Sequence, residues 1–270
     1  MSSVSIAGLP GIPLQSLIDV FLQIFFVCLR IGSFLISSPF FGSRMVPLQV
    51  RIVFSVVLGL FVAGQTELPE VAVLTSFLVI PLVLQELAIG LCAGLTLTII
   101  FASVGLAGEQ IAASSGLSFA IQVDPNGGGQ SAVLSQILTL FLLVIFFALN
   151  GHLMIIAIMI NSYSLVPIGE PLVYQVMIQT GIDAAGIMYA YAANIMLPII
   201  AVLFIINLAI GIITKSAPQL NLFSFGFPIT IFSVFVLLIL SVAPLAWSFS
   251  DLLETVMRII DTLTEGMSNG

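Results

Sequence analysis

The sequence predicts an all-α protein of the integral membrane type, and two observations carry that prediction. Of the 270 residues, 60% are hydrophobic and only 6% are charged, with a mean hydropathy of +1.29. A soluble domain has about a quarter of its residues charged, and no soluble core absorbs so much apolar surface. The apolar residues also fall into six long regions, at 14–38, 48–63, 71–106, 132–160, 184–213 and 227–253. Each exceeds or approaches the roughly 20 residues that an α-helix needs to cross a bilayer.

The first region follows an N-terminal stretch without Lys or Arg. A secretory signal has a basic segment there, so this region reads as a retained span. The second region follows a connection punctuated by Pro39, Gly42 and Pro47 that carries Arg44 and Arg51. The third contains Pro81, Glu86 and Gly90-x-x-x-Gly94, and reads as one kinked helix or as two helices. The glycine pair permits close helix contact, although the motif is common. As straight helices, the third and fourth regions would be about 45–55 Å long, against a hydrocarbon core of ~30 Å. Tilt takes up part of the excess, and the rest predicts helices that meet other protein. Asp183 is expected at the N-terminus of the fifth helix, where the macrodipole favours a carboxylate. Asn194, Pro198 and Asn207 predict a kink with interhelical hydrogen bonds in that helix.

Charge narrows the function classes. Twelve acids against five bases give a formal net charge of −7. Nucleic-acid binding needs clustered Lys and Arg, which this chain lacks. Cys28 and Cys92 lie in apolar runs with no metal-ligand spacing. Bases collect in the first and fifth connections and are missing from the second and fourth. The positive-inside rule then puts connections one, three and five, with Lys215, in the cytoplasm and both termini outside. Arg258 runs against that assignment.

Ionisable groups at membrane depth are functional candidates by default. Glu86 and Glu109 read as structural carboxylates or as proton relays. Arg30 reads as a side chain snorkelling to an interface, or as a partner for Glu86 or Glu109 across helices. His152, the one histidine, lacks the company a metal site or a catalytic triad requires. It reads as a hydrogen-bonded packing residue.

The longest break in the apolar pattern begins at Glu109 and ends in Asp124-Pro125-Asn126 followed by Gly127, Gly128 and Gly129. Proline removes a donor and glycines remove stiffness, so the stretch is expected to leave the helical state. Leu117, Phe119, Ile121 and Val123 are apolar at alternate positions. Two readings stand: a surface turn between spans, or a flexible closure in a pore. Irregular backbone at membrane depth survives only within protein or beside water.

These residues also carry a resemblance. Gly108-Glu109-Gln110, Gly116-Leu117-Ser118-Phe119-Ala120, Val123-Asp124-Pro125, Asn150-Gly151-His152 and Pro167-Ile168-Gly169 occur in that order. Asn207-Leu208-Ala209-Ile210-Gly211, Ala217-Pro218-Gln219-Leu220 and Gly226-Phe227-Pro228 follow. Together, from Arg30 to about Pro244, the chain resembles the FliR family of type III secretion export-gate proteins. The resemblance implies a structural and gating subunit of the flagellar protein-export gate, not an enzyme, with no cofactor. It implies FliP-like and FliQ-like membrane subunits as partners, a further export-apparatus membrane protein, and unfolded export substrates. The implied location is the bacterial inner (cytoplasmic) membrane at the flagellar basal body. The implied fold is a FliP-like helical part over 1–175 and a FliQ-like helical hairpin over 176–270.

The resemblance also implies a pore plug. It maps onto Ser115, Gly116, Leu117, Ser118, Phe119, Ala120, Ile121, Gln122, Val123, Asp124, Pro125, Asn126, Gly127, Gly128, Gly129 and Gln130. Arg30, Glu86, Glu109, His152, Asn207 and Lys215 are the polar residues expected to serve assembly within the membrane. The competing class is a small-molecule or ion-coupled secondary transporter that uses Glu86 and Glu109. Such a carrier should show repeat-related broken helices around a polar midplane site, and the sequence has no convincing paired repeat.

Overall fold

The computed structural model describes residues 14–66, 79–117, 133–170, 172–217 and 225–268. Among these residues there are eight helices and no strand. They are α1 (Leu14–Ser37), α2 (Leu48–Ala63), α3 (Val79–Ser114), α4 (Val133–Ala148), α5 (Gly151–Leu165), α6 (Tyr174–Ser216), α7 (Phe227–Leu240) and α8 (Val242–Ser268). The all-α, membrane-type architecture is as the composition predicts. Residues 118–130 of the expected plug, and the connection around Pro218, lie outside the described residues.

Several expectations are corrected. The fourth apolar region is two helices bent by 66°. The break falls at Asn150, whose φ of 57° is left-handed, a conformation that Asn tolerates better than most residues. The sixth region is likewise bent, by 64°, between α7 and α8. The described part of the third region is one helix from Val79 to Ser114. Pro81 falls in its first turn, where the missing N–H has no intrahelical partner to lose. The fifth helix begins at Tyr174, so Asp183 lies within it and not at its N-terminus. With 43 residues it is about 65 Å long, and Pro198 does not end it.

Three helices, α1, α3 and α6, are long and apolar enough to cross a membrane, and each bent pair adds one further candidate span. Helix α2 has 16 residues, or about 24 Å, and falls short of the six-span expectation. Helix α8 is two-faced. Phe249, Leu252, Val256, Ile260 and Leu263 are buried, whereas Asp251, Glu254, Arg258 and Asp261 are exposed. That spacing of three and four is the signature of a helix with one wet side.

The chain forms two compact units. The first comprises the described parts of 1–98, 153–182 and 257–270. Its core is built on α1, where Val27, Ile31 and Phe34 are buried, with Ile89, Ala93 and Leu97 of α3 and Ile155 and Met159 of α5. Helices α1 and α3 run side by side along a seam of small residues. A side-chain carbon on Gly90 would collide with Ser33 Oγ and the Arg30 carbonyl, and one on Gly94 with Ser37 Oγ. Thr98 donates to the Ser37 carbonyl at 2.6 Å and continues the seam. The Gly90-x-x-x-Gly94 pair thus works as a close-contact site.

The second unit comprises the described parts of 99–152 and 183–256. Gly108 meets the backbone of Ser135, whose hydroxyl donates to the Gly105 carbonyl at 3.0 Å. Leu134, Leu138, Leu142 and Phe146 are buried at every fourth position of α4. Phe146 meets Phe101 edge to face at 5.5 Å, a favoured aromatic geometry.

Candidate functional site

Two polar constellations among the described residues contain sequence-predicted candidates, one in each unit. The first is centred on Arg30. The glycine seam brings α1 close to α3 one turn beyond Glu86, and the two side chains meet inside the unit. Arg30 Nε donates to Glu86 Oε2 at 2.8 Å and Nη2 donates to Oε1 at 3.0 Å. Their side chains are 0% and 1% exposed. Nη1 donates to the carbonyl of Ser162 at 2.9 Å and to its hydroxyl at 3.1 Å. Nη2 also donates to the Val166 carbonyl at 2.9 Å. An arginine has five N–H donors, and these five bonds use them all. The Tyr163 ring lies 4.2 Å from the guanidinium carbon, within cation–π range. Its hydroxyl donates to the Val27 carbonyl at 2.6 Å.

The expected snorkelling of Arg30 is therefore overturned: the side chain is sealed from solvent. The reason is energetic. A buried guanidinium is tolerated where a carboxylate neutralises it and acceptors meet every donor. The bidentate fork supplies the first condition. The end of α5, which carries negative partial charge, supplies the second: the Ser162 carbonyl accepts from Arg30 as well as from the Val166 N–H at 2.9 Å. Both Glu86 oxygens accept from Arg30, so the arrangement clamps α1, α3 and the end of α5 together. Sequence reasoning found Arg30 and Glu86 but missed Ser162 and Tyr163. A Ser-Tyr pair in an apolar helix was the available signal.

The second constellation closes α3. Gly116 has φ +81°, the left-handed conformation that ends helices and favours glycine. Its N–H donates to the Ala113 carbonyl at 3.3 Å. The residues from Glu109 to Ser114 are helical and α3 ends at Ser114, so the stretch expected to leave the helical state begins later than Glu109. Two side chains cap the outgoing carbonyls. Asn207 Nδ2 of α6 donates to Ser114 O at 3.2 Å, and Thr230 Oγ1 of α7 lies 3.0 Å from Ser115 O. The ring of Phe227 covers Gly116 so closely that an added side-chain carbon would lie 2.7 Å from it. A cavity of about 240 Å³ lies here, lined among others by Ser114, Gly116, Gly211, Phe227 and Thr230.

The remaining candidates do not join either group. Glu109 is exposed on α3, and Lys215 is exposed in the last turn of α6, where a cation complements the helix dipole. His152 packs against Phe147 at 5.0 Å and Phe146 at 6.4 Å. Its Nδ1 is buried without a hydrogen-bond partner among the described residues. Leu117 is half-buried. Thr230 was not singled out by sequence, because nothing in the pattern pairs position 115 with position 230.

Comparison with known proteins assigns the family. The model for bacterial export proteins, family 1, matches residues 21–256. The flagellar biosynthetic protein FliR of Escherichia coli (strain K12) is 32% identical over 244 residues, covering 89% of this chain and 92% of that protein. The FliR proteins of Bacillus subtilis (strain 168) and Aquifex aeolicus (strain VF5) are 29% and 28% identical, each over 232 residues. The first match covers 84% of this chain and 88% of the relative, the second 86% and 90%. With a helical, membrane-type fold and a family match running through both polar constellations, the chain belongs to bacterial export proteins, family 1.

Proposed function

We propose that the chain is a structural and gating subunit of the flagellar type III protein-export gate. In this reading it sits in the bacterial inner membrane at the basal body, joins FliP-like and FliQ-like subunits and a further export-apparatus membrane protein, and forms part of the channel for unfolded substrates. Residues 1–175 are its FliP-like part and 176–270 its FliQ-like hairpin. The segment from Ser115 to Gln130 is the plug. The similarity to flagellar biosynthetic proteins supports the cellular setting.

The observation that carries the gating role is the anchorage of the segment's first residues. Gly116 turns the chain out of α3, while Asn207 and Thr230 fix the carbonyls just before the turn. A closure that must open for each substrate needs a fixed root and a modest energy gap between its states. The transporter alternative would use Glu86 and Glu109; both oxygens of Glu86 are already engaged by Arg30, which leaves it Glu109 alone, exposed on α3.

Deletion of residues 116–129 tests the proposal. Cells carrying an assembled deletion complex should leak small ions, measured as membrane conductance or salt sensitivity. A correctly assembled complex that stays as tight as the parent would show that this segment is not the barrier.

A further inference from the structure

We infer that the connection between α1 and α2 is a preformed docking knob: Met45 enters an apolar pocket of a partner membrane subunit, and Arg44 pairs with a carboxylate at the rim of that pocket. The inference rests on the export-gate reading, which supplies membrane subunits as neighbours. Met45 is 93% exposed, more than any other large hydrophobic side chain among the described residues. A lone exposed methionine needs no explanation. One held out on a loop that is fixed from three sides does.

The first tie is a turn at Gly42. Its N–H donates to the Ser38 carbonyl at 2.8 Å. A side-chain carbon on Gly42 would strike the carbonyls of Ile36 and Ser38, so the chain folds back here only because glycine stands at this position. The second tie is aromatic. Phe40, Phe41 and Phe54 form a row, with ring centroids 4.5 and 5.6 Å apart in successive pairs, and join the loop to α2. The third is Arg51. Its Nη2 donates to the carbonyls of Ser43 and Val46, which flank Arg44 and Met45, the latter bond at 2.9 Å. Its Nε is buried without a partner among the described residues. A buried donor left unmet carries a desolvation cost. This side chain thus gives up some local stability to set the shape of the tip, as residues at functional sites do. All three ties lie within the first compact unit.

Rigidity and charge define the partner. A bilayer has no fixed shape, and a rigid tip gains nothing from it. A protein pocket does have one, and a loop already held in its bound form has less freedom to lose on docking. Methionine fills irregular apolar pockets, and Met and Arg are both enriched in protein interfaces. Charge selects the rim. The chain carries a net −7, yet no acid lies between Asp19 and Glu67. Arg44 and Arg51 therefore make the tip positive in an acidic chain, and Arg44 is exposed. The complement of an exposed guanidinium fork is a carboxylate.

A photo-crosslinking amino acid placed at position 45 of the full chain, in cells that express its gate subunits, tests this. Illumination should link position 45 to one membrane subunit that copurifies with the chain, at an apolar site beside an Asp or Glu. Arg44→Glu should lower the yield of that adduct about tenfold, the effect of one charge-assisted contact. Lysine in place of the partner's acid should then restore it. Arg51→Gln, which frees the loop, should lower the yield too, with faster hydrogen exchange at residues 43–46. Copurification of the subunits controls for assembly in each variant, and the parent's adduct decides the matter even if a variant fails to assemble. Where the subunits copurify and position 45 links only to lipid, the knob is overturned and the export-gate reading stands. An adduct yield unchanged by Arg44→Glu has the same consequence. Where no membrane subunit copurifies with the parent, both readings fall.

Discussion

A single buried arginine sets the most stringent requirement in this chain. Arg30 is stable inside only because Glu86, two backbone carbonyls and the Ser162 hydroxyl meet its donors together. Removing one partner leaves a charge without compensation, at a cost of about 3–5 kcal/mol. Glu86→Gln and Arg30→Gln should therefore each sharply lower the thermal midpoint in detergent and the level of protein in the membrane. The double replacement by Met should lose less than either single change, since it removes both charges. A double variant as unstable as the sum of the two singles would refute the clamp. Tyr163→Phe tests the outer contact: losing its bond to Val27 O should cost about 1 kcal/mol. The sequence marked Arg30 and Glu86 as exceptional and named their pairing as one alternative. It did not decide between pairing and snorkelling, because that choice depends on which carbonyls stand nearby.

Glycine position separates the helices that pack within this chain from faces left open. Gly90 sits where a side chain would strike the α1 backbone, whereas Gly181 and Gly186 on α6 face nothing within 4 Å. Gly90→Ala should therefore destabilise the protein, as the helices must move apart. Gly181→Ala in the isolated chain should be neutral or stabilising by roughly 0.5–1 kcal/mol, the propensity gain of alanine over glycine. Thermal unfolding of the two variants side by side decides the matter, and equal losses would contradict the packing described. Gly116→Ala combines an unfavourable φ with the Phe227 ring. It should impair export, measured as secreted flagellar subunits, more than it lowers the amount of assembled protein.

At the scale of the whole chain, length argues for partners. Helix α6 is about 65 Å long, twice the ~30 Å of bilayer hydrocarbon. Its exposed large hydrophobic side chains run from Tyr174 through Ile182, Tyr189, Leu197 and Phe204 to Ile212, beside the exposed polar residues Gln175, Gln179, Asp183 and Asn207. Lipid covers part of that face, and the remainder calls for protein. The isolated chain should accordingly be poorly behaved in detergent and stabilised by FliP-like and FliQ-like subunits, as read by native mass measurement. A monodisperse monomer with no affinity for them would contradict this. Topology is testable at the end of the same helix. Ser216 is exposed beside Lys215, and the charge bias expects a cytoplasmic position. A cysteine there should resist an impermeant reagent in intact cells, and ready labelling from outside would reverse the assignment.

By itself, the sequence determined the solvent of this protein and its helical class, because both follow from composition and run length summed over many residues. It also determined the family, because ordered motifs survive without any knowledge of contacts. The tertiary structure alone decided where helices break. Asn150 turns left-handed in the fourth apolar region, while Pro81 falls harmlessly in a first turn. Only tertiary structure decided which acceptors Arg30 finds, and that Asn207 and Thr230 meet the carbonyls at the end of α3. Those pairings join positions 56 to 136 residues apart in the first case, and 93 and 115 apart in the second. Local propensity is blind at such separations, since a hydrogen bond rewards only the groups that packing has already brought within 3 Å or so.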